Sequence, residues 1–333
     1  MNKIHEDDEI NFVERAEDKQ QPEGIDNRNT DVDSFTLKPS GGKYRMVALD
    51  LDGTLLGSDH QISDTSKDYL TYLHSKGFVV SFATGRGASC TFDHVSRLNF
   101  DFPRSSLGLP VVCSNGAQGL HISNDLVKTE LFYEPVPNEV TLKVIKFALN
   151  LGHVTQYYHE NDIYVHTNNE THVNLTNRYS QLTGSKQVFC CEKYDLALSK
   201  GLPSKLLILC GEDNVDSVVR AVKENVGGDA HVLRGSPAFF VEVLHKNVCK
   251  GNGLRNMSKS LGIDMSEIIA FGDGDNDVEF IQYAGHGIAM KNARDTLKKV
   301  ADEECEWTNA ENGVVLKLKQ MEKEGLLYFP NEN

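Results

Sequence analysis

Two aspartates, Asp50 and Asp52, stand one residue apart directly after the apolar stretch at 44–49, and Gly53 follows them. One aspartate would suit a solvated turn. Two carboxylates at the end of a buried strand repel each other, because unit charges about 4 Å apart interact by about 4 kcal/mol at an effective dielectric constant of 20. The spacing therefore predicts a cationic group between these side chains.

Three further apolar stretches also end in polar residues that could bind an ion or a phosphate. Ligands bind outside the carboxyl ends of the strands of an open parallel sheet, so these ends are expected to converge on one edge. That edge would hold up to five carboxylates. The polar ends are Thr84-Gly85-Arg86, Ser114-Asn115-Gly116 and Gly272-Asp273-Gly274-Asp275-Asn276-Asp277.

A hard divalent cation would resolve the repulsion between these carboxylates. Mg²⁺ fits best, because it takes one or two carboxylates and fills its other positions with water and substrate phosphate. An EF-hand is excluded, since neither Asp50 nor Asp273 as first ligand places Gly at the sixth and Glu at the twelfth position. A DxD site for a nucleotide-sugar stays open, but it gives no role to Thr84 or to the second acidic group. The chain has no GxxxxGK[ST] phosphate loop.

The elements that must position these residues alternate between short apolar segments and longer helical segments from Lys43 onward. The apolar segments are continuous and do not alternate with polar residues, which is typical of buried parallel strands. We therefore predict an α/β fold with a doubly wound, Rossmann-like parallel sheet. Its strands are expected near 45–50, 78–84, 109–115, 267–273 and 286–290, with helices near 63–76 and 293–301.

The middle of the chain has a different pattern. An amphipathic helix near 139–152 precedes the segments VTQYYH and DIYVHT, which flank a turn and predict a hairpin. The segments KLLILCG, NVDSVVRAVKENVGG and FFVEVLH then predict strand, helix and strand. We expect a small α+β unit at 134–241, called the cap below, inserted into a larger domain formed by 43–133 and 242–333.

Composition limits the function further. The net charge of −14 argues against nucleic acid or an anionic membrane as a partner. Seven cysteines without a CxxC pair, and no signal-peptide core, indicate reduced thiols and a cytoplasmic location. Residues 1–42 carry eleven Asp/Glu against five Lys/Arg, so we expect a disordered acidic tail. Nothing in the sequence specifies an oligomeric state.

The motifs DLDGTLL, TGR, the lysine of CKGNGL, and GDGDND occur in this order. Together they resemble the haloacid dehalogenase superfamily of phosphatases, and most closely its Cof-type branch. Further similar stretches are SNGA, AMKNA and TNAENGV. The resemblance covers about residues 44–320, and it implies Mg²⁺-dependent hydrolysis of small phosphate monoesters such as sugar phosphates, pyridoxal phosphate or flavin mononucleotide.

The resemblance also implies roles for individual residues. Asp50 would be the nucleophile that forms an aspartyl-phosphate, and Asp52 the general acid and base. The metal would be held by the side chains of Asp50 and Asp273 and the backbone carbonyl of Asp52, with Asp277 assisting nearby.

The remaining site residues are assigned to the phosphate and the substrate. Thr84 would hydrogen-bond a phosphoryl oxygen, and Lys250, rather than Lys246, would neutralise charge on the phosphate and the nucleophile. Gly53 would let the backbone approach the phosphate closely. Gly85, Arg86 and Asn115 would complete the phosphate and substrate site, although Arg86 and Asn115 could equally brace the loops.

Two alternatives to a phosphatase remain open at this stage, and one set of residues has an undecided role. A sugar hydroxyl could replace water as acceptor, which would make the protein a phosphotransferase or phosphomutase acting on a hexose phosphate. The protein could bind a phosphorylated metabolite without turning it over. Tyr157, Tyr158 and Tyr164 lie on expected cap strands and could contact substrate, although packing explains each of them at least as well.

Overall fold

A computed structural model of the chain describes residues 42–330, except 99, 101–107, 124, 161, 186, 191–192 and 236. All described residues belong to one compact unit, Pro39–Asn333. The expected disordered tail lies outside the described residues apart from Gly42.

Fourteen strands form within the described part of the chain. They are β1 Met46–Leu49, β2 Val79–Ala83, β3 Leu109–Cys113, β4 Gln118–Ile122, β5 Lys128–Tyr133, β6 Val154–His159, β7 Asp162–Val165, β8 Gln187–Phe189, β9 Lys205–Leu209, β10 Ala230–Arg234, β11 Phe240–His245, β12 Ile268–Gly272, β13 His286–Ala289 and β14 Glu303–Glu304.

Ten α-helices accompany these strands in the same part of the chain. They are α1 Asp64–Ser75, α2 Ala88–Arg97, α3 Asn138–Asn150, α4 Glu170–Thr183, α5 Asp195–Lys200, α6 Val215–Val226, α7 Lys250–Leu261, α8 Val278–Tyr283, α9 Asp295–Lys298 and α10 Gly313–Lys323. None of these helices combines the length and apolar composition needed to cross a bilayer.

The larger sheet has eight strands in the order β14-β13-β12-β1-β2-β3-β4-β5. The strands from β14 to β3 pair in parallel, and β4 and β5 are added antiparallel at one edge. The predicted doubly wound α/β sheet is therefore confirmed, and its order reverses between β1 and β12. Such a reversal opens a crevice at the carboxyl ends of the two strands, where ligands bind in this class of fold.

The sequence explains why the central strands form. β1 (MVAL) and β12 (IIAFG) are buried along their whole length, as expected for parallel strands covered by helices on both faces. Helix α1 is capped at its N-terminus by Ser63, whose side chain accepts a hydrogen bond from the Ser66 backbone amide. It ends before Gly77, which has a φ of 84°.

The smaller sheet has six strands in the order β10-β11-β9-β6-β7-β8. The predicted hairpin is confirmed, because β6 and β7 pair antiparallel. Helices α3 and α6 pack on one face, around Tyr157, Leu206 and Val243. The opposite face carries Tyr158 and, further along the strands, Phe240.

This smaller sheet, together with α3–α6, coincides broadly with the expected cap, and we call it the cap sheet. The boundaries at 134 and 241 stay a prediction; β11 itself continues to His245. The helix expected at 293–301 is shorter, at Asp295–Lys298. The chain then leaves the helix through a turn in which the Ala301 amide bonds the Leu297 carbonyl.

Candidate active site

Four neighbouring strands bring the expected site residues to one edge of the large sheet. Asp273 follows β12, Asp50 follows β1, Thr84 follows β2 and Asn115 lies two residues after β3. The edge is fixed by backbone hydrogen bonds that continue beyond the strands. The Asp50 amide donates to the Phe271 carbonyl at 3.0 Å, and the Asn115 amide donates to the Thr84 carbonyl at 3.0 Å.

Three carboxylates form a tight group at this edge. Asp50, Asp273 and Asp277 each offer an oxygen, and these oxygens lie within 4.8 Å of one another. Asp50 is 5% exposed and Asp277 is fully buried. We call Asp50, Asp273 and Asp277 the carboxylate group.

Lys250 contacts two members of this group. Its Nζ donates to Asp50 Oδ1 at 2.5 Å and to Asp277 Oδ1 at 2.6 Å, and the side chain is 1% exposed. The rival candidate, Lys246, is exposed. Burial alone would lower the pKa of Lys250, but the negative charges of Asp277 and Asp50 raise that pKa above its ordinary value. The lysine therefore stays protonated.

One ammonium group is not enough for three carboxylates. Burial raises the pKa of Asp50 well above its usual range, and the charges of Asp277 and Asp273 raise it further against the opposing effect of Lys250. Burial and Asp277 raise the pKa of Asp273 to about 6. The group therefore holds excess negative charge, and three carboxylate oxygens at this spacing fit a hard divalent cation such as Mg²⁺.

Asp277 is held by the loop that carries Asp273. Its Oδ2 accepts hydrogen bonds from the backbone amides of Asp273 at 3.0 Å and Gly274 at 2.9 Å, while its Oδ1 faces Lys250. Both oxygens are thus engaged by the protein. The role of Asp277 beside a metal stays a prediction.

Gly53 lies against Asp273. Its φ is 79°, and an added Cβ would come within 2.3 Å of Asp273 Oδ2. Both the backbone conformation and the space therefore require glycine. The next residue, Thr54, donates from Oγ1 to Asp273 Oδ1 at 3.3 Å, a contact that the sequence reasoning missed.

The carboxylate of Asp52 lies outside the carboxylate group and pairs with Arg86. Arg86 Nε donates to Asp52 Oδ2 at 2.7 Å, and the terminal guanidinium nitrogen donates to Oδ1 at 2.6 Å. His60 Nδ1 lies 3.3 Å from the same Oδ1. Burial alone would raise the pKa of Asp52, but hydrogen bonds and charge from Arg86, and then His60, hold it below its usual range. His60 was also missed, because a lone histidine in a turn carries no motif.

The remaining predicted residues line the same cavity. Thr84 is fully buried, and its Oγ1 accepts from the Arg86 amide at 3.1 Å. Gly85 approaches Asn115 closely, since an added Cβ would lie 3.0 Å from Asn115 Oδ1. Asn115 adopts a φ of 55° between Ser114 and Gly116, which also have positive φ. Three such residues in succession mark a constrained loop.

The cavity has a volume of about 610 Å³ and extends from the carboxylate group to the cap sheet. Its wall on the cap side includes Tyr158, Tyr179, Leu182 and Phe240. Of the three tyrosines considered from sequence, Tyr158 lines this cavity, whereas Tyr157 and Tyr164 pack in the hydrophobic cluster on the other face of the cap sheet.

Comparison with known families agrees with this geometry. A profile of the haloacid dehalogenase-like hydrolase family matches residues 47–318, which is most of the chain. The chain belongs to that family. The predicted superfamily membership is thus confirmed, and the protein is an enzyme of the phosphatase type.

Individual relatives resemble nearly the whole haloacid dehalogenase-like region. The chain is 29% identical to the 5-amino-6-(5-phospho-D-ribitylamino)uracil phosphatase YitU of Bacillus subtilis, over 84% of this chain and 97% of that protein. A haloacid dehalogenase-like hydrolase from Bacteroides thetaiotaomicron has a similar structure, with a TM-score of 0.72, 25% identity, and coverage of 84% and 100%. A subclass IIB sugar phosphatase shares the fold at a TM-score of 0.66 and 23% identity, covering 85% of this chain and 99% of that one.

Proposed function

We propose that this haloacid dehalogenase-like enzyme is a Mg²⁺-dependent phosphatase that hydrolyses small phosphate monoesters through an aspartyl-phosphate on Asp50. One observation carries the proposal: Asp50 lies within a group of three carboxylates, paired with a buried lysine, at the floor of a cavity that opens toward the cap sheet. The family membership and the ordered motifs support the same reaction class.

Asp50 supplies the nucleophile. Its carboxylate oxygen attacks phosphorus, the new oxygen–phosphorus bond forms, and the bond from phosphorus to the leaving alcohol oxygen breaks. Lys250 keeps Asp50 in place through its hydrogen bond and offsets negative charge on the transferring phosphoryl group. Thr84 provides a buried hydroxyl at the same edge for a phosphoryl oxygen.

Asp52 acts as the general acid and the general base. In the first step it gives a proton to the leaving oxygen. In the second it takes one from the water that attacks phosphorus, which breaks the bond from phosphorus to Asp50 and releases phosphate. The two hydrogen bonds from Arg86 favour the carboxylate form that the second step needs. Substrate must compete with Arg86 for Asp52 during the first step, so Arg86 both orients and restrains this residue.

Mg²⁺ would be held by Asp50 and Asp273, with Asp277 beside them and the Asp52 carbonyl nearby. When bound, it supplies positive charge that stabilises the phosphoryl oxygens and offsets the repulsion among the carboxylates. The raised pKa of Asp50 and the pKa of about 6 at Asp273 support this assignment. Both shifts arise because Lys250 alone does not offset the negative charge of three neighbouring carboxylates.

The substrate class follows from the cavity. About 610 Å³ suits a small metabolite and not a polymer. The aromatic wall formed by Tyr158, Tyr179 and Phe240 can pack against a sugar ring or a heterocycle. The relative named for a phosphorylated ribitylaminouracil and the fold neighbour named as a sugar phosphatase support sugar phosphates or cofactor phosphates as substrates.

A panel of phosphorylated metabolites, assayed for released phosphate with Mg²⁺ and with EDTA, tests this proposal. We expect metal-dependent turnover of at least one sugar or cofactor phosphate, lost in Asp50→Asn and kept in the exposed-lysine variant Lys246→Met. Transfer of the phosphoryl group to an added sugar, without release of inorganic phosphate, would instead indicate a phosphotransferase. No turnover across the panel would indicate a binding protein.

A further inference from the structure

A buried ion pair on the cap sheet contacts the catalytic edge more closely than its two members contact each other. Lys205 on β9 and Glu242 on β11 are 2% and 9% exposed, and Lys205 Nζ lies 3.3 Å from Glu242 Oε1. Lys205 Nζ donates to the Gly85 carbonyl at 3.0 Å. Glu242 Oε2 accepts from Asn115 Nδ2 at 2.8 Å. Both closer contacts reach the loops that follow β2 and β3.

The strand register places both side chains on the cap face that lines the cavity. Lys205 pairs with Tyr158, and Leu207 pairs with Glu242, so Lys205 and Glu242 are diagonal neighbours on one face. Long side chains can bridge that diagonal. Lys205 Nζ also lies 4.8 Å from the centre of the Tyr158 ring. The pair therefore lies on paired strands of the cap sheet.

Asn115 carries the contact onward into the acidic loop. While its Nδ2 donates to Glu242, its Oδ1 accepts from Asn276 Nδ2 at 3.0 Å. Asn276 lies between Asp273 and Asp277, which belong to the carboxylate group. A continuous polar chain thus runs from the cap sheet through Asn115 to the loop that would hold the metal.

Stability alone does not account for such a pair. Burying two charges incurs a desolvation penalty that their mutual attraction often fails to exceed, and apolar replacements of similar volume are often as stable or more so. A satisfied buried network does, however, fix geometry. The structure offers that geometry at the loops after β2 and β3, where the phosphate and the substrate would be bound.

We propose that Lys205 and Glu242 are positioning residues that couple the cap sheet to the catalytic edge. Lys205 fixes the Gly85 carbonyl, and with it the turn that carries Thr84 and Arg86. Glu242 orients the Asn115 amide, and through Asn276 the acidic loop. The pair acts on the reaction through these loops, so it serves every substrate, whatever the leaving group. This inference rests on the proposed phosphatase function.

The test compares the double variant Lys205→Met/Glu242→Gln with wild type on two probes. Acetyl phosphate has a leaving group too small to need the cap, whereas p-nitrophenyl phosphate extends into the cavity. The double variant leaves neither charge unpaired. We expect kcat to fall about tenfold or more with both probes, because small misplacements of reacting groups have effects of this size. The inhibition constant of inorganic phosphate should rise in parallel.

A matched control is Lys223→Met/Glu224→Gln, which removes an exposed lysine and glutamate on α6 of the cap. It should keep wild-type kcat for both probes. Glu242→Gln alone retains an acceptor for Asn115, so it should keep more activity than the double variant while still falling below wild type. If the double variant does not fold, the kcat values of Glu242→Gln for acetyl phosphate and p-nitrophenyl phosphate, compared with those of wild type, test the proposal instead.

Two results would overturn the inference. A rise in KM for p-nitrophenyl phosphate with an unchanged rate for acetyl phosphate would make the pair a leaving-group contact. A lower Tm with unchanged kcat per folded enzyme would make it structural only. Failure of wild type to hydrolyse either probe with Mg²⁺ would instead count against the proposed function.

Discussion

Replacing Lys250 by Met should destabilise the metal-free protein by an amount that the site geometry sets. The substitution leaves Asp50 and Asp277 buried without the ammonium group that lies 2.5 and 2.6 Å from their oxygens. Two unit charges 4.8 Å apart repel by about 3.5 kcal/mol at an effective dielectric constant of 20. Because the pKa of Asp50 is already raised, proton uptake by this carboxylate keeps the penalty from growing beyond this size. This agrees with the roughly 3–5 kcal/mol lost when one partner of a buried ion pair is removed.

Thermal unfolding in EDTA at pH 8 measures this effect. At an unfolding entropy of about 2.1 cal/mol/K per residue, a chain of 333 residues loses about 1.4 °C per kcal/mol, so the Tm of Lys250→Met should fall by about 5 °C. Removing one of the stranded charges in Lys250→Met/Asp277→Asn should restore most of the Tm without restoring turnover. The exposed-lysine variant Lys246→Met is the matched control and should melt as wild type does.

Equal Tm values for Lys250→Met and Lys246→Met would refute this reasoning. They would mean that the ammonium group does not neutralise the carboxylates in the folded protein. A double variant that stays as unstable as Lys250→Met would show that lost packing of the lysine stem, and not stranded charge, causes the effect.

Three further predictions concern the same edge. Arg86→Gln should release the Asp52 carboxylate and lower kcat about 10²-fold in steady-state assays; an unchanged kcat would mean that Asp52 needs no such restraint. Gly53→Ala should weaken Mg²⁺ binding at least about tenfold by titration calorimetry, because its Cβ would overlap Asp273 Oδ2 and its φ is 79°; wild-type affinity would contradict the described backbone. Asp273 has a pKa of about 6, above its unfolded value, so the metal-free protein should gain stability as pH falls through 6. Over the same pH range, the increase in Tm on adding Mg²⁺ should become smaller, and an increase in Tm that is independent of pH would contradict the assignment.

The sequence predicted which residues converge at one edge of the large sheet, for a physical reason. Strands buried on both faces are continuously apolar, so β1 and β12 are recognisable, and the polar residues that follow them must lie at the carboxyl ends. The structure accordingly brings together Asp50, Asp273, Asp277 and Lys250, which lie up to 227 residues apart in the chain.

Strands with mixed composition were missed. β4 (QGLHI) contains a glycine and a histidine although it is buried, and β5 (KTELFY) alternates weakly, so neither pattern indicated the antiparallel edge. In the cap sheet, β10 (AHVLR) was not predicted either, because its composition is also mixed.

Side-chain pairings over long separations were also beyond the sequence. The motif at Thr84-Gly85-Arg86 did not reveal that Arg86 pairs with Asp52, and nothing local marks Lys205 or Glu242 as partners. These contacts depend on the register between strands and on how the cap sheet faces the core. The pattern of apolar residues predicts each strand separately, and it does not indicate the register between strands or the orientation of the cap sheet.

The nucleophilic role of Asp50 is tested most directly by acid-quenching the enzyme during turnover with Mg²⁺ and mapping the phosphoryl group by mass spectrometry. The peptide that contains Asp50 should gain the mass of one phosphoryl group, and this gain should be absent in EDTA and in Asp50→Asn, which should also lose turnover. Wild-type kcat in Asp50→Asn, or a phosphoryl group on another residue, would contradict the proposed reaction.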